Sequence, residues 1–266
     1  MLGAIIGDIV GSRFEWHNYR AKDFEFFSNK CFVTDDSIMS LAVCEAICEA
    51  GDDYMHLGEI TVKAMQRIGR PYPHCGYGGA FLHWMYSDEP APYGSFGNGA
   101  AMRVSGCGFA AKFLDEAKIL SREVTAITHN HPEGLKGAEA TAVAIFLARQ
   151  GKTQAEIKAH ICEHYYYIDF TLDDIRATYE FNETCQNTVP QALEAFFEAQ
   201  SFEDAIRNAI SIGGDSDTIA AITGGIAEAY FGIPKDLRIK ALSFLDERLS
   251  PILERFEAKF PPKIVN

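Results

Sequence analysis

The sequence predicts an all-α fold in one domain spanning residues 1–266. Three observations predict it. Apolar residues recur at three-to-four spacing along most of the chain, the period of a helix face. No alternation of strands and helices accompanies them, which argues against a doubly wound sheet. No internal repeat, low-complexity run or linker divides the chain, and 47% hydrophobic residues suffice for a substantial core.

The elements follow in order. Met1–Val10 is apolar but interrupted by Asp8, and Gly7 to Ser12 reads as helix, with glycines that permit close packing. Asp8 on that helix faces either the core or a site. Ser37–Ala50 is a helix stopped by Gly51, and Met55–Arg70 is a second that ends at Pro71. Pro132–Gln150 starts with proline in its first turn and ends at Gly151. Thr153–His164 opens on a Thr153…Glu156 capping box. Asn187–Ala199, Phe202–Ile212 and Asp217–Phe231 are further helices, and Leu237–Phe260 holds two, broken near Ser250-Pro251. At ordinary helix lengths this makes about ten helices. Tyr165–Phe170 is a short strand or a loop packed by its rings, and Pro261-Pro262 marks a short, frayed C-terminus. Arg13–Val33 and Tyr72–Arg103 are long irregular connections, a kind of segment that often carries function.

Composition narrows the function. A net charge of −13, spread along the chain, argues against general nucleic-acid binding. Seven cysteines (31, 44, 48, 75, 107, 162 and 185) form no Cys-x-x-Cys pair and no zinc spacing. Their odd number and the absence of a leader pattern point to a reducing, cytoplasmic compartment. No apolar run reaches the length of a membrane span. Nothing in the chain specifies an oligomeric state.

Two acidic clusters almost two hundred residues apart carry the strongest chemical signal: Thr34-Asp35-Asp36-Ser37 and Gly213-Gly214-Asp215-Ser216-Asp217-Thr218. Each stands at a helix start, where backbone N–H groups and the helix dipole favour negative charge. Taken singly, each also reads as an ordinary acidic N-terminus facing water. Folded together they form an oxygen-rich site for one or two hard divalent cations. Gly213-Gly214 permits a tight bend into a helix whose TIAAITGG run can lie close to its neighbours. Glu15, among Phe14, Trp16 and His17, is either a surface carboxylate or one whose pKa is raised among rings for acid/base work. Ser95, Phe96, Gly97, Asn98 and Gly99 form a glycine-rich turn entering a helix. That turn can also offer amides to a phosphate and a ring to a base, although no Walker lysine follows. His129 and His131 precede a helix without a third nitrogen or sulfur ligand, so a substrate contact or a structural role outweighs a transition metal.

In order, the segments GDIVGSRFE (7–15), TDDS (34–37), GSFGNGAAMR (94–103), THNHPEG (128–134) and GGDSDT (213–218) resemble the ADP-ribosylglycohydrolase family. The resemblance runs from Gly3 to about Phe231. It implies a compact orthogonal helical bundle with a binuclear magnesium or manganese site, acting on an ADP-ribosylated protein or small molecule. Thr34, Asp35 and Asp36 match the first metal-binding triplet, and Asp215, Asp217 and Thr218 the C-terminal group. Glu15 matches the acidic residue of a mobile catalytic loop. Ser95 to Gly99 match the segment lining the diphosphate and adenosine, and His129 a position near the substrate. By this resemblance the reaction is hydrolysis at the anomeric carbon. Its acid/base group is Glu15, or else water held by the cations and polarised by Asp35 or Asp36. A module that binds ADP-ribose without cleaving it, and another metal-dependent nucleotide hydrolase, are the alternatives. The chain is compact for this family, and Tyr72–Tyr93 and Tyr165–Thr188 match no motif; they are expected to flank the cleft and tune the substrate.

Overall fold

The structure is a computed structural model that describes all 266 residues. It is built almost wholly of helices, fifteen in α form, around one core cluster that runs from Met1 to Phe256. The larger number, against about ten expected, comes from two short helices inside Tyr72–Arg103, from two helices between residues 105 and 126, and from a short helix at Leu172–Arg176.

The centre is a pair of buried helices, α1 (Leu2–Gly11) and α13 (Ser216–Phe231). Glycines set their separation. A Cβ on Gly3 would stand 2.3 Å from the Gly224 carbonyl oxygen, one on Gly7 1.9 Å from that of Ala220, and one on Gly11 2.5 Å from Asp217 Cα. These residues are four apart, so they form one ridge on α1, and backbone meets backbone along it. Gly3 N–H also donates to the buried Glu228 carboxylate at 2.6 Å, which ties the far end of α13 to the start of α1. The consequence for the site is positional: the last turn of α1 lies against the first turn of α13.

Around this pair pack α2 (Asp35–Ala50), α8 (Pro132–Arg149), α11 (Val189–Phe197) and α12 (Phe202–Ile210). Their ends carry the expected signals. Thr34 accepts from Asp36 N–H as N-cap of α2, Gly51 follows α2, Pro132 opens α8, and Ser201 caps α12 through Asp204 N–H. The Met55–Arg70 pattern becomes α3 (Leu57–Gly69), and the Thr153–Glu156 box opens α9 (Gln154–His164).

Several elements differ from expectation. Tyr72–Arg103 is not one irregular connection. It holds α4 (Gly79–Tyr86), which buries Phe81, Trp84 and Met85, and the single turn α5 (Gly99–Met102). Next come α6 (Ser105–Ala110) and α7 (Leu114–Ala126), in a stretch to which no element was assigned above. The period was present in α7, where Ala117, Leu120 and Val124 are buried. Another short helix is α10 (Leu172–Arg176), closed by a Thr171–Asp174 capping box. Of the two readings of Tyr165–Phe170, the packed loop is the one observed, with Tyr166 and Ile168 buried. The C-terminal region does hold the two expected helices, α14 (Lys235–Leu242) and α15 (Ser250–Lys259), with Pro251 in the first turn of α15. The C-terminus is held and not frayed: β1 (Ile233–Pro234) and β2 (Ile264–Val265) form a short parallel pair, and Ile233 N–H donates to Lys263 O at 2.8 Å. No helix is long and apolar enough to cross a membrane.

Candidate metal and substrate site

Asp8 organises the first half of the site. It is fully buried on the last turns of α1. Its Oδ2 accepts from Thr34 N–H and Ser37 N–H, both at 3.1 Å, and also from the Ser37 hydroxyl, while Oδ1 accepts from Thr34 Oγ1 at 2.7 Å. A carboxylate of α1 therefore holds the N-terminus of α2. Burial raises Asp8 to about 6, and the hydrogen bonds from Ser37 and Thr34 limit the rise. Asp8 does not line the cavity, so it sets the geometry of the residues that do.

Asp35 and Asp36 follow in the first turn of α2. Asp35 N–H donates to Cys75 O at 2.7 Å, and Gly76 leaves room for the carboxylate, since a Cβ there would stand 2.8 Å from Asp35 Oδ1. Asp36 Oδ2 accepts from Thr218 Oγ1 at 3.2 Å, which joins the two sequence clusters directly. Its Oδ1 is buried without a partner.

The second cluster enters through Gly213 and Gly214, at φ +74° and +71°. Gly214 is required twice over: a Cβ would stand 2.4 Å from the Tyr179 ring. Its N–H donates to Asn18 Oδ1 at 3.0 Å, which fastens the Glu15 loop to the start of α13. Asp215 Oδ2 accepts from Asn98 Nδ2 at 2.6 Å, and Asp217 Oδ1 from Thr218 N–H at 3.0 Å. One carboxylate oxygen each from Glu15, Asp215 and Asp217 lies within 4.8 Å of the others, a spacing that one metal ion can span.

These carboxylates line one cavity of about 260 Å³. Burial raises Asp35, Asp36 and Asp217 well above the usual carboxylate range, and neighbouring carboxylates push further. Burial also raises Asp215, against hydrogen bonds from Asp217 and Asn98. Glu15 rises to about 7 through burial and then the charges of Asp215 and Asp8. No lysine, arginine or histidine pairs with any of the six acids; every ion pair of the molecule lies elsewhere. Buried carboxylates without counter-charge, one with an orphaned oxygen, fit hard divalent cations with oxygen preference.

The remaining wall is the glycine-rich turn. Ser95 Oγ accepts from Gly97 N–H at 3.2 Å, and Asn98 N–H donates to Glu183 O at 2.7 Å. His129 lines the cavity beside Gly97 and Gly99. Thr34 and Phe96 do not line it. The Thr34 hydroxyl turns to Asp8 and reaches Asp36 Oδ2 only at 3.5 Å. The Phe96 ring is exposed and packs 5.1 Å from His131, which in turn caps α8 through Glu133 N–H. The two histidines thus do separate jobs.

Sequence reasoning gave no site role to Phe81, Tyr93, Arg103, Phe181 or Glu183, all of which line the cavity. Phe181 stacks on the exposed Trp16, 4.9 Å between centroids, so the segment after α10 closes against the Glu15 loop. Phe81 and Tyr93 fall in Tyr72–Tyr93, and Phe181 and Glu183 in Tyr165–Thr188, the two segments expected to flank the cleft.

Residues 1–262 match the family described as ADP-ribosylglycohydrolase. The chain is 25% identical to ADP-ribosylhydrolase ARH3 of Xenopus tropicalis, over 92% of this chain and 91% of that one. It is 27% identical to ADP-ribosylhydrolase ARH3 of Homo sapiens, over 88% and 84%. It is also 27% identical to ADP-ribosyl-[dinitrogen reductase] glycohydrolase of Rhodospirillum rubrum, over 84% and 76%. Among solved structures, one titled "ADP-ribosylglycohydrolase-related protein complex" superposes with a TM-score of 0.72 at 22% identity, covering 97% of this chain and 95% of that one, a likeness of fold.

Proposed function

We propose, from the premise that the chain belongs to the ADP-ribosylglycohydrolase family, that it hydrolyses the glycosidic bond of a terminal ADP-ribosyl group. The product is free ADP-ribose, and the substrate is an ADP-ribosylated protein or small molecule. The observation that carries this reading is the convergence of Glu15, Asp35, Asp36, Asp215 and Asp217 on one cavity, none of them in an ion pair with a protein cation. We take residues 1–266 to act as one domain, and the seven free thiols agree with a cytoplasmic setting.

Two divalent cations, magnesium or manganese, held among Asp35, Asp36, Asp215, Asp217 and Thr218, would supply positive charge that fixes the ribose hydroxyls and polarises nearby oxygens, while Thr34 is committed to Asp8. The chain's own residues do the rest. Asp8 holds Thr34 and the start of α2 in place, and Asn98 orients Asp215. Ser95, Gly97 and Gly99 leave an open turn for the diphosphate, with His129 beside it. Glu15, which burial and then the charges of Asp215 and Asp8 raise to about 7 in the cation-free site, is the group placed to exchange a proton. As the bond from the anomeric carbon to the leaving atom breaks, an oxocarbenium-like sugar develops and is captured by water. Glu15 takes the water proton and passes it to the leaving atom, which departs with the electron pair of the broken bond. Retention of Glu15 beside the carboxylates favours this over a module that only binds.

The test is release of ADP-ribose from arginine-linked, serine-linked and O-acetyl substrates, with magnesium, with manganese and with chelator. Cation-dependent release from one class is the expected result. Binding of ADP-ribose without release from any class would overturn the hydrolase reading.

A further inference from the structure

Arg103 is one of the largest fully buried side chains of the protein, at 1% exposure, and it has no carboxylate partner. No acidic oxygen lies within the 4 Å of an ion pair, and its Nε has no hydrogen-bond partner at all. Burial lowers its pKa to about 10, still far above neutrality, so the guanidinium stays charged. It lies over the Phe81 ring at 5.7 Å. Its Nη2 is engaged with the Thr128 hydroxyl oxygen at 2.5 Å and with His129 Nδ1 at 3.2 Å.

A guanidinium has donors only. At the Nη2 contact, His129 Nδ1 must therefore accept, which leaves it without a proton. Thr128 Oγ1, 2.7 Å from the same nitrogen, accepts from Arg103 and can turn its own hydrogen to Nδ1, in place of a longer bond to Thr125 O at 3.4 Å. A neutral imidazole with an accepting Nδ1 carries its hydrogen on Nε2. His129 is buried at 5% exposure, and burial and then the Arg103 charge hold it well below its ordinary pKa, so the ring is neutral.

Nε2 has no partner in the protein, while His129 lines the cavity. The space in front of it is kept clear by glycine: a Cβ on Gly99 would stand 3.4 Å from Nε2, and one on Gly97 3.5 Å. We infer that Arg103 is a positioning residue that holds His129 as the Nε2–H tautomer, so that this N–H donates to an anionic phosphate oxygen of the substrate lying over Gly97 and Gly99. The buried guanidinium, which lines the same cavity, adds its charge beside the ring. The tautomer stands apart from the proposed function; the phosphate rests on it.

The experiment has two readouts. The first is the long-range proton–nitrogen spectrum of ¹⁵N-histidine protein without ligand, with His129 assigned by its loss in His129→Asn. A protonated Nε2 and bare Nδ1 are expected, and a protonated Nδ1 overturns the inference. The second is ADP-ribose binding by calorimetry in magnesium, for the wild type, Arg103→Met and Arg103→Lys. Arg103→Met should weaken binding about tenfold or more and lose the single tautomer. Arg103→Lys, which keeps a donor and the charge, should restore much of both. Unchanged affinity in a folded Arg103→Met protein overturns the inference. If that variant does not fold, the wild-type spectrum decides. A wild type with the expected tautomer that binds no ADP-ribose overturns the functional reading and the phosphate assignment, while the tautomer survives.

Discussion

Gly7 and Ala220 lie in backbone contact: a Cβ on Gly7 would stand 1.9 Å from the Ala220 carbonyl oxygen and 2.3 Å from its carbon. No flexible side chain can give way there. The contact sets the distance between α1, which carries Asp8, and α13, which starts at Asp215 and Asp217. Gly7→Ala must push the helices apart. Overpacking of this kind typically costs about 1–3 kcal/mol, and a backbone obstacle places this case at the upper end. Urea denaturation should show that loss, and calorimetry should show weakened magnesium binding, because the carboxylate sets separate. Unchanged stability would mean that the two helices are not so close.

Much of this arrangement was legible in the sequence. The two acidic clusters at helix starts are joined by the Asp36–Thr218 bond, and the two small-residue runs expected to permit close packing lie against each other. Asp8, open between core and site, proves to be both: buried, and the acceptor for Thr34 and Ser37. What could not be read is tertiary. Phe181 and Glu183 enter the wall only because the 182–185 strip runs along Gly97, through an isolated bridge to Thr184. Arg103 closes the glycine motif, yet its lack of a counter-charge appears only when its neighbours are known. The short helices α4, α5, α6 and α10 span too few turns to show a period.

Asp36→Asn should separate stability from activity. The Asp36 carboxylate is buried, its Oδ1 has no partner, and its neighbours are Asp35, Asp8 and Asp215. Removing that charge relieves repulsion that only a cation otherwise offsets. In chelator the variant should melt higher than wild type, by about 2 °C or more, while cation-dependent turnover is lost. Thermal melts with chelator and with magnesium check both halves. A lower melting temperature in chelator would show that Asp36 stabilises the fold without metal.

The cation-free protein should also lose stability as pH rises. For a carboxylate whose folded pKa is raised, the folded state binds more protons than the unfolded state, so stability falls with increasing pH. The window runs from 3.8 to about 6 for Asp8 and from 4.5 to about 7 for Glu15, and Asp35, Asp36, Asp215 and Asp217 act in the same direction. Melting temperatures between pH 5.5 and 8 should fall in chelator and flatten in saturating magnesium. Parallel curves would remove the cations from the account.

Glu15→Gln keeps the size of the side chain and its place beside Asp215 and Asp217, but removes the proton exchange. Turnover should fall by about 10²–10⁴, with ADP-ribose affinity close to wild type. Steady-state kinetics with calorimetry on the same preparation give both numbers. Loss of affinity equal to the loss of turnover would make Glu15 chiefly a binding group.

Gly99→Ala tests the open space before His129. The new methyl would stand 3.4 Å from Nε2 and 3.6 Å from Cε1, with no other atom within 4 Å, so the fold can take it. Gly99 is the first residue of α5, where alanine is the better helix former by roughly 0.5–1 kcal/mol. The melting temperature should hold or rise slightly. ADP-ribose binding should nonetheless weaken by about tenfold, because the methyl occupies the place from which a phosphate oxygen reaches Nε2. A variant that is equally stable and binds as well as wild type would place the diphosphate away from Gly99, and leave the clear space in front of His129 without a ligand to explain it.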